Sequence, residues 1–182
     1  VSIDHDETAI AFLADLEQLG EDKAAKDVYV WAGEHGMKTR RVAFVGQHGM
    51  PPQQRVGGNL TWSRDGNVLS FTVEDAPEPE ALPILDDDKV VLDLWNWRDG
   101  LLQTMQQKRG SARDDRRTVV WDRAGDRVTV LGDDRTPTLR FVGNDGRYLM
   151  ASDSRPYEQE VSWDGRYADA WLVDRKTGTR VK

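Results

Sequence analysis

The sequence predicts an all-β protein made of about three four-stranded antiparallel blades of a partial β-propeller. Three observations carry that prediction. The first is residues 60–75, LTWSRDGNVLSFTVED. Two short apolar stretches flank Asp65-Gly66, a strong hairpin signal because glycine takes the positive φ of a tight loop without steric cost. In the second stretch Leu69, Phe71 and Val73 alternate with Ser70 and Thr72, a period of two that predicts a half-buried strand. The second observation is that this pattern recurs. Residues 139–152, LRFVGNDGRYLMAS, repeat it around Asp145-Gly146, and residues 1–14, VSIDHDETAIAFLA, repeat it weakly with Asp6-Glu7 in place of Asp-Gly. The third is a second hairpin after each copy, at residues 27–45, 117–131 and 168–181. Each has an apolar strand with a tryptophan (Trp31, Trp121, Trp171), a turn with glycine (Gly36, Gly125, Gly178) and a basic return strand. Strand, turn, strand, connection, strand, turn, strand is the unit of a propeller blade.

Taken in order, the first unit spans about residues 1–46. Its two hairpins are joined by DLEQLGEDKAAK, a charged and solvated connection. Residues 46–58, rich in Gly, Pro and Gln, read as a linker containing His48. The second unit spans 59–132 and is interrupted by an excursion at 75–115. That excursion opens with APEPEALPILDDD, whose prolines and acids forbid a regular ladder and predict an exposed loop. KVVLDLWNW, residues 89–97, then predicts a strand, and the polar, basic stretch 103–113 returns to the blade. The third unit spans 138–182 and carries an insertion at 153–167 with its own Asp164-Gly165 turn.

Closed propellers have typically four to eight blades, and repeat units bury their apolar faces only against neighbours. The chain starts at Val1 and ends at Lys182, both inside repeat units. The expectation is therefore a fragment of a larger ring, with outer blades able to self-associate through their exposed faces.

Composition narrows the function classes. The net charge is −7, and Arg40, Arg41, Arg116 and Arg117 are interleaved with acids, so no basic face for nucleic acid is expected. No apolar run approaches membrane-spanning length, and no membrane partner is expected. The chain has no cysteine, which removes disulfides, thiolate zinc sites and cysteine nucleophiles. The compartment stays open between cytoplasm and periplasm or secretion.

The candidate chemistry is sparse. His5, His35 and His48 fall in two turns and a linker without the spacing of a metal or catalytic pair. The runs at 86–88 and 133–134 lack the alternating acids of a calcium loop and read as solvated. Chance proximity among 32 acids gives no particular carboxylate pair weight for glycoside hydrolysis. No cofactor, metal ligand or catalytic residue is assigned. Trp95 and Trp97 alternate with Leu94 and Asn96, which puts both indoles on one face of the excursion strand. Packing onto the blade accounts for them; the alternative is contact with a peptide or with another domain, because aromatic anchors dominate such contacts.

WSRDGNVLSF, the Pro/Glu-rich loop, DDDKVVLDLWNWRDGLLQTMQQKR, RTVVWDRAGDRVTVL and ASDSRPYEQEVSWDGRYADAWLVDRKTG together resemble the N-terminal β-propeller of bacterial prolyl-oligopeptidase-family (S9) serine peptidases. The resemblance runs from about Asn59 to the end and more loosely over residues 1–45. It implies a propeller that caps an α/β-hydrolase domain and restricts entry to peptides, so that peptide substrate and hydrolase domain are the implied partners. The nucleophile elbow G-x-S-x-G of such a domain is not in this sequence. Gly110-Ser111 continues as Ala112-Arg113, so this chain by itself is expected to be inactive. The glutamate pair that holds the substrate amine in dipeptidyl-peptidase members has no counterpart on a helix here; Glu78 and Glu80 sit in the Pro-rich loop. The alternative is a stand-alone protein-binding propeller, a TolB-like scaffold. A complete small β hydrolase fits least, because no nucleophile constellation is visible.

Overall fold

The computed structural model describes residues 1–15, 26–33, 39–43, 54–76, 96–109 and 116–182. Their strands form three four-stranded antiparallel sheets, each in simple meander order. The first holds β1 (Ser2–Ile3), β2 (Ala9–Ala14), β3 (Asp27–Ala32) and β4 (Thr39–Ala43). The second holds β5 (Gln54–Trp62), β6 (Val68–Asp75), β7 (Arg117–Asp122) and β8 (Arg127–Val130). The third holds β9 (Leu139–Val142), β10 (Tyr148–Asp153), β11 (Asp169–Asp174) and β12 (Arg180–Val181). This is the architecture of propeller blades, and the fold class matches the sequence expectation. The sheets make one compact unit, Val1–Ala76, Asp114–Asp153 and Asp169–Lys182; a second unit comprises Pro77–Arg113 and Ser154–Ala168.

The repeat is visible atom by atom in the turns. Glu7, Gly66 and Gly146 occupy matching places and all have positive φ, at 58°, 67° and 61°. Glu7 thus holds the left-handed conformation that glycine holds in the other two, at a cost of about 1 kcal/mol for a residue with a Cβ. The second hairpins dock on the first by one recurring bond. Gly33 N–H donates to Thr8 O, Arg123 N–H to Asn67 O and Arg175 N–H to Arg147 O. Neighbouring turns also nest in register. A Cβ on Gly66 would lie 3.1 Å from Asp4 Oδ2, and one on Gly146 would lie 2.8 Å from Ser63 Cβ. Asp4 and Ser63 are themselves equivalent, since Asp4 N–H donates to Ala9 O and Ser63 N–H to Val68 O.

Burial follows from this stacking. Leu69, Phe71, Val73, Val119 and Trp121 lie in one apolar cluster with Ala9, Ala11, Val28 and Val30 of the first sheet. Trp62 meets Trp121 edge-to-face there, at 6.3 Å and 70°. Val68 and Val120 join Leu139, Leu149, Ala151 and Val173 of the third sheet.

Four sequence expectations change. β6 is not half-buried: Ser70 and Thr72 are buried with their apolar neighbours, because the strand lies inside its sheet and the sheet has a partner on each side. The linker assigned to 46–58 is shorter, since β5 begins at Gln54. Its glycines serve an irregular ladder with register shifts on both sides of Gly58, whose φ is 128°, and Arg55 pairs with Glu74 at 2.8 Å across it. Trp31 and Trp121 match, opposite Ile10 and Leu69, but Trp171 sits opposite Ala151, two pairs away from the equivalent place, which Val173 fills. Asn96 and Trp97 lie in a turn rather than at the end of a strand, with Asp99 N–H donating to Asn96 O at 3.0 Å. Residues 89–95 of that expected strand lie outside the described residues.

Candidate functional site

The first strands of the three sheets, β1, β5 and β9, border a common cavity of about 810 Å³. β1 contributes Ser2 and Ile3, β5 contributes Thr61 and Trp62, and β9 contributes Leu139 and Phe141. A hydroxyl wall is added by Ser70 and Thr72 of β6 and Thr118 of β7. Alternation in β6 makes this wall: Leu69, Phe71 and Val73 go to the first-sheet core, so the serine and threonine between them go to the opposite side. The two threonine hydroxyls are tied to backbone. Thr72 Oγ1 donates to Gly58 O at 3.2 Å, and Thr118 Oγ1 accepts from Leu139 N–H at 2.8 Å. Trp62 Nε1 donates to Ser2 O at 3.3 Å, which joins β5 to β1 at the cavity wall.

Among the described residues, the ionisable groups of the lining are His5, Arg64 and Arg140, and no carboxylate is with them. Asp4 and Asp65, next in sequence to His5 and Arg64, bend into their own turns. Burial works against ionised Asp4, yet the Ala9 and Thr8 amides, the Thr8 hydroxyl and Arg123 outweigh it and hold the carboxyl below its usual range. Burial likewise opposes ionised Asp65, and the Ser63 hydroxyl and the Asn67 side chain and amide prevail. Both carboxylates are consumed by local hydrogen bonds and are not presented to the cavity.

The second unit holds another concavity. Its two segments leave the second and third sheets at the same point of the repeat, between the second and third strands. α1 (Gln103–Arg109) follows a tight turn in which Gln106 Nε2 donates to Asp99 Oδ2 at 3.1 Å and to Leu101 O at 2.8 Å. The other segment is a 3-10 helix, Arg155–Ser162, which ends at Trp163 with Trp163 N–H donating to Glu160 O. The segments meet at Gly100, where a Cβ would come within 2.7 Å of Glu158 Oε2. A cleft of about 790 Å³ lies along them. Trp97 and Trp163 line it while 85% and 77% exposed. The Arg98 guanidinium stacks over the Trp97 ring at 4.9 Å.

The Trp97 indole is solvent-facing in its turn. Trp95 lies outside the described residues, as do His35, His48 and the acidic run at 86–88. Trp163 was not singled out from the sequence. The one available signal was positional: its insertion interrupts the repeat where the 75–115 excursion does. Asp133, in the other acidic run, closes a turn by accepting from Arg135 N–H, Thr136 N–H and Thr136 Oγ1. Among the described residues no group of three or more His, Asp or Glu side chains is placed to hold a metal ion.

No protein-family model matches the chain, and no curated protein matches it. Among solved structures it is similar to TolB from Acinetobacter baumannii, at 12% identity and a TM-score of 0.45 over 99% of this chain and 30% of that one. It is also similar to Porphyromonas gingivalis dipeptidyl peptidase 4, at 11% identity and a TM-score of 0.38, covering 98% of this chain and 31% of that one. The tricorn protease aligns at 10% identity and a TM-score of 0.31, over 100% of this chain and 22% of that one. The chain thus spans less than a third of each of these structures. The fold rests on the sheet order and the nested turns rather than on these distant likenesses.

Proposed function

We propose that this chain is the propeller portion of a serine peptidase of the prolyl-oligopeptidase family. In that role it shapes the path by which peptides reach a hydrolase domain outside these residues. The carrying observation is the cavity bordered by β1, β5 and β9, the first strands of successive blades. The inner strands of a propeller surround its central channel, so this cavity is a section of that channel wall. Its mixture of hydroxyls with Ile3, Leu139 and Phe141 suits an extended peptide, whose backbone needs hydrogen-bond partners and whose side chains need apolar contacts.

The test has two parts. The chain alone should not cleave chromogenic aminoacyl-proline peptides, and turnover abolished by a serine-directed inhibitor would overturn the proposal. Short proline-containing peptides should shift the Trp62 indole N–H signal in an NMR titration, because that indole closes the cavity wall. An indole signal unmoved at millimolar peptide would also count against the proposal.

A second reading, a stand-alone protein-binding propeller, is favoured by one observation: the solvent-facing Trp97 and Trp163 along the cleft of the second unit. The open reading frame after Lys182 separates the two. A βα alternation with G-x-S-x-G supports the peptidase, and further blades followed by a stop support the scaffold.

A further inference from the structure

We propose that the cavity bordered by β1, β5 and β9 selects acidic peptides, with Arg64 and Arg140 holding a side-chain carboxylate of the bound segment. The proposal rests on the peptide-binding reading above and adds the charge of what is bound.

Three observations meet here. The first is an inversion of charge. The chain carries 32 acidic residues against 25 basic ones, yet among the described residues the ionisable side chains of this cavity are two arginines and a histidine. The second is that these arginines have no carboxylate to hold among the described residues. Several arginines of the sheets do face carboxylates: Arg55 has Glu74, Arg117 has Asp134, Arg147 has Asp174 and Arg180 has Asp133. Arg64 and Arg140 have no carboxylate partner among the described residues and are exposed at the cavity. The third is their placement. Arg64 comes from the turn between β5 and β6 and Arg140 from β9, so the two residues belong to neighbouring blades and border one cavity.

A guanidinium presents a planar fork of donors that matches a carboxylate with two parallel hydrogen bonds. Asp4 and Asp65, the nearest acids in sequence, are engaged in their own turns and do not compete for this fork. Ile3 and Phe141 beside the hydroxyls favour an organic anion with an apolar body over a bare inorganic one.

Isothermal titration calorimetry on the full chain would use two blocked pentapeptides, Leu-Glu-Pro-Glu-Leu and its Gln analogue Leu-Gln-Pro-Gln-Leu. The acidic peptide should bind at least about tenfold more tightly, as expected for a charge-assisted bidentate contact. R64Q and R140Q should each remove most of that preference. R64K and R140K, which keep the charge and lose the fork, should fall between. Near-ultraviolet circular dichroism of each variant confirms the fold. Equal affinity for the two peptides, or a preference that survives the R64Q/R140Q double variant, would overturn the proposal and leave the peptide-binding function standing. Binding of neither peptide would overturn both. Displacement of the acidic peptide by inorganic phosphate at equal concentration would overturn it in favour of a phosphate site.

Discussion

The second and third sheets share a topology and differ in what covers them. In the second, Phe71, Leu69 and Val119 are sealed against the first sheet, and Val68 and Val120 against the third. In the third, Leu149, Ala151 and Val173 are sealed on one side only. Its other side carries Val142, Leu172 and Val181, at 40%, 40% and 62% exposure. The registers place Val142 opposite Tyr148 and Val181 opposite Leu172, so these residues form an apolar surface rather than isolated contacts. The strands are alike; the neighbour makes the core. That is the energetics of a stacked repeat, in which interface terms between units supply much of the stability.

The largest expected effect tests this contrast directly. Phe71→Ala should destabilise by about 3–5 kcal/mol in urea or thermal unfolding, as for large-to-small changes in a sealed core. Leu172→Ala should cost less than about 1 kcal/mol, in line with surface positions. Equal losses would break the comparison. Next in size is Asp4→Ala. Asp4 Oδ1 accepts from the Thr8 and Ala9 amides at 2.7 and 2.9 Å, and Oδ2 accepts from the Thr8 hydroxyl at 2.7 Å. Loss of these partners should cost about 2–3 kcal/mol. Because the folded-state pKa of Asp4 is depressed, the ionised form contributes stability that is fully present above the usual carboxylate value of 3.8. That contribution is lost as pH falls below 3.8 through the folded-state value, so the acid limb of a stability–pH curve should flatten in Asp4→Asn.

Smaller effects probe the turns. Gly146→Ala should cost about 2 kcal/mol, because positive φ and the approach of Ser63 act together. Gly178→Ala, at φ 71° with nothing within 4 Å of the added methyl, should cost about 1 kcal/mol. Glu7→Gly should be neutral or stabilising by about 0.5 kcal/mol, since relieved backbone strain is set against greater chain entropy. The smallest change is in association. Leu172→Lys with Val181→Lys should leave the melting temperature within about 2 °C and lower any concentration-dependent mass in light scattering. Unchanged self-association would dissociate the exposed face from it.

The repeat was legible because turn chemistry is local. Asp65-Gly66 and Asn144-Asp145-Gly146 announce their turns, and even Asp6-Glu7 keeps enough of the pattern to mark its place. Burial of Ser70 and Thr72 was not legible, because period two reports that two faces differ, not that both are covered. The register of Trp171 escaped for a related reason: a tryptophan in an apolar strand marks the strand, while its pairing depends on the partner's length. Trp97 and Trp163 come from segments far apart in sequence, so only tertiary structure brings them to one cleft. The arginines of the cavity looked like the other scattered bases; their position on the cavity sets them apart, and that position is spatial.

Two of the ties between sheets share one direction along the chain. Arg123, from the second sheet, reaches Asp4 in the first, and Arg175, from the third, reaches Asp122 in the second. During synthesis from the amino end, both of these guanidinium groups emerge after the acids they meet, whereas Arg40 of the first sheet emerges before its partner Asp126 in the second. The seam between the first two sheets is therefore clasped from both sides.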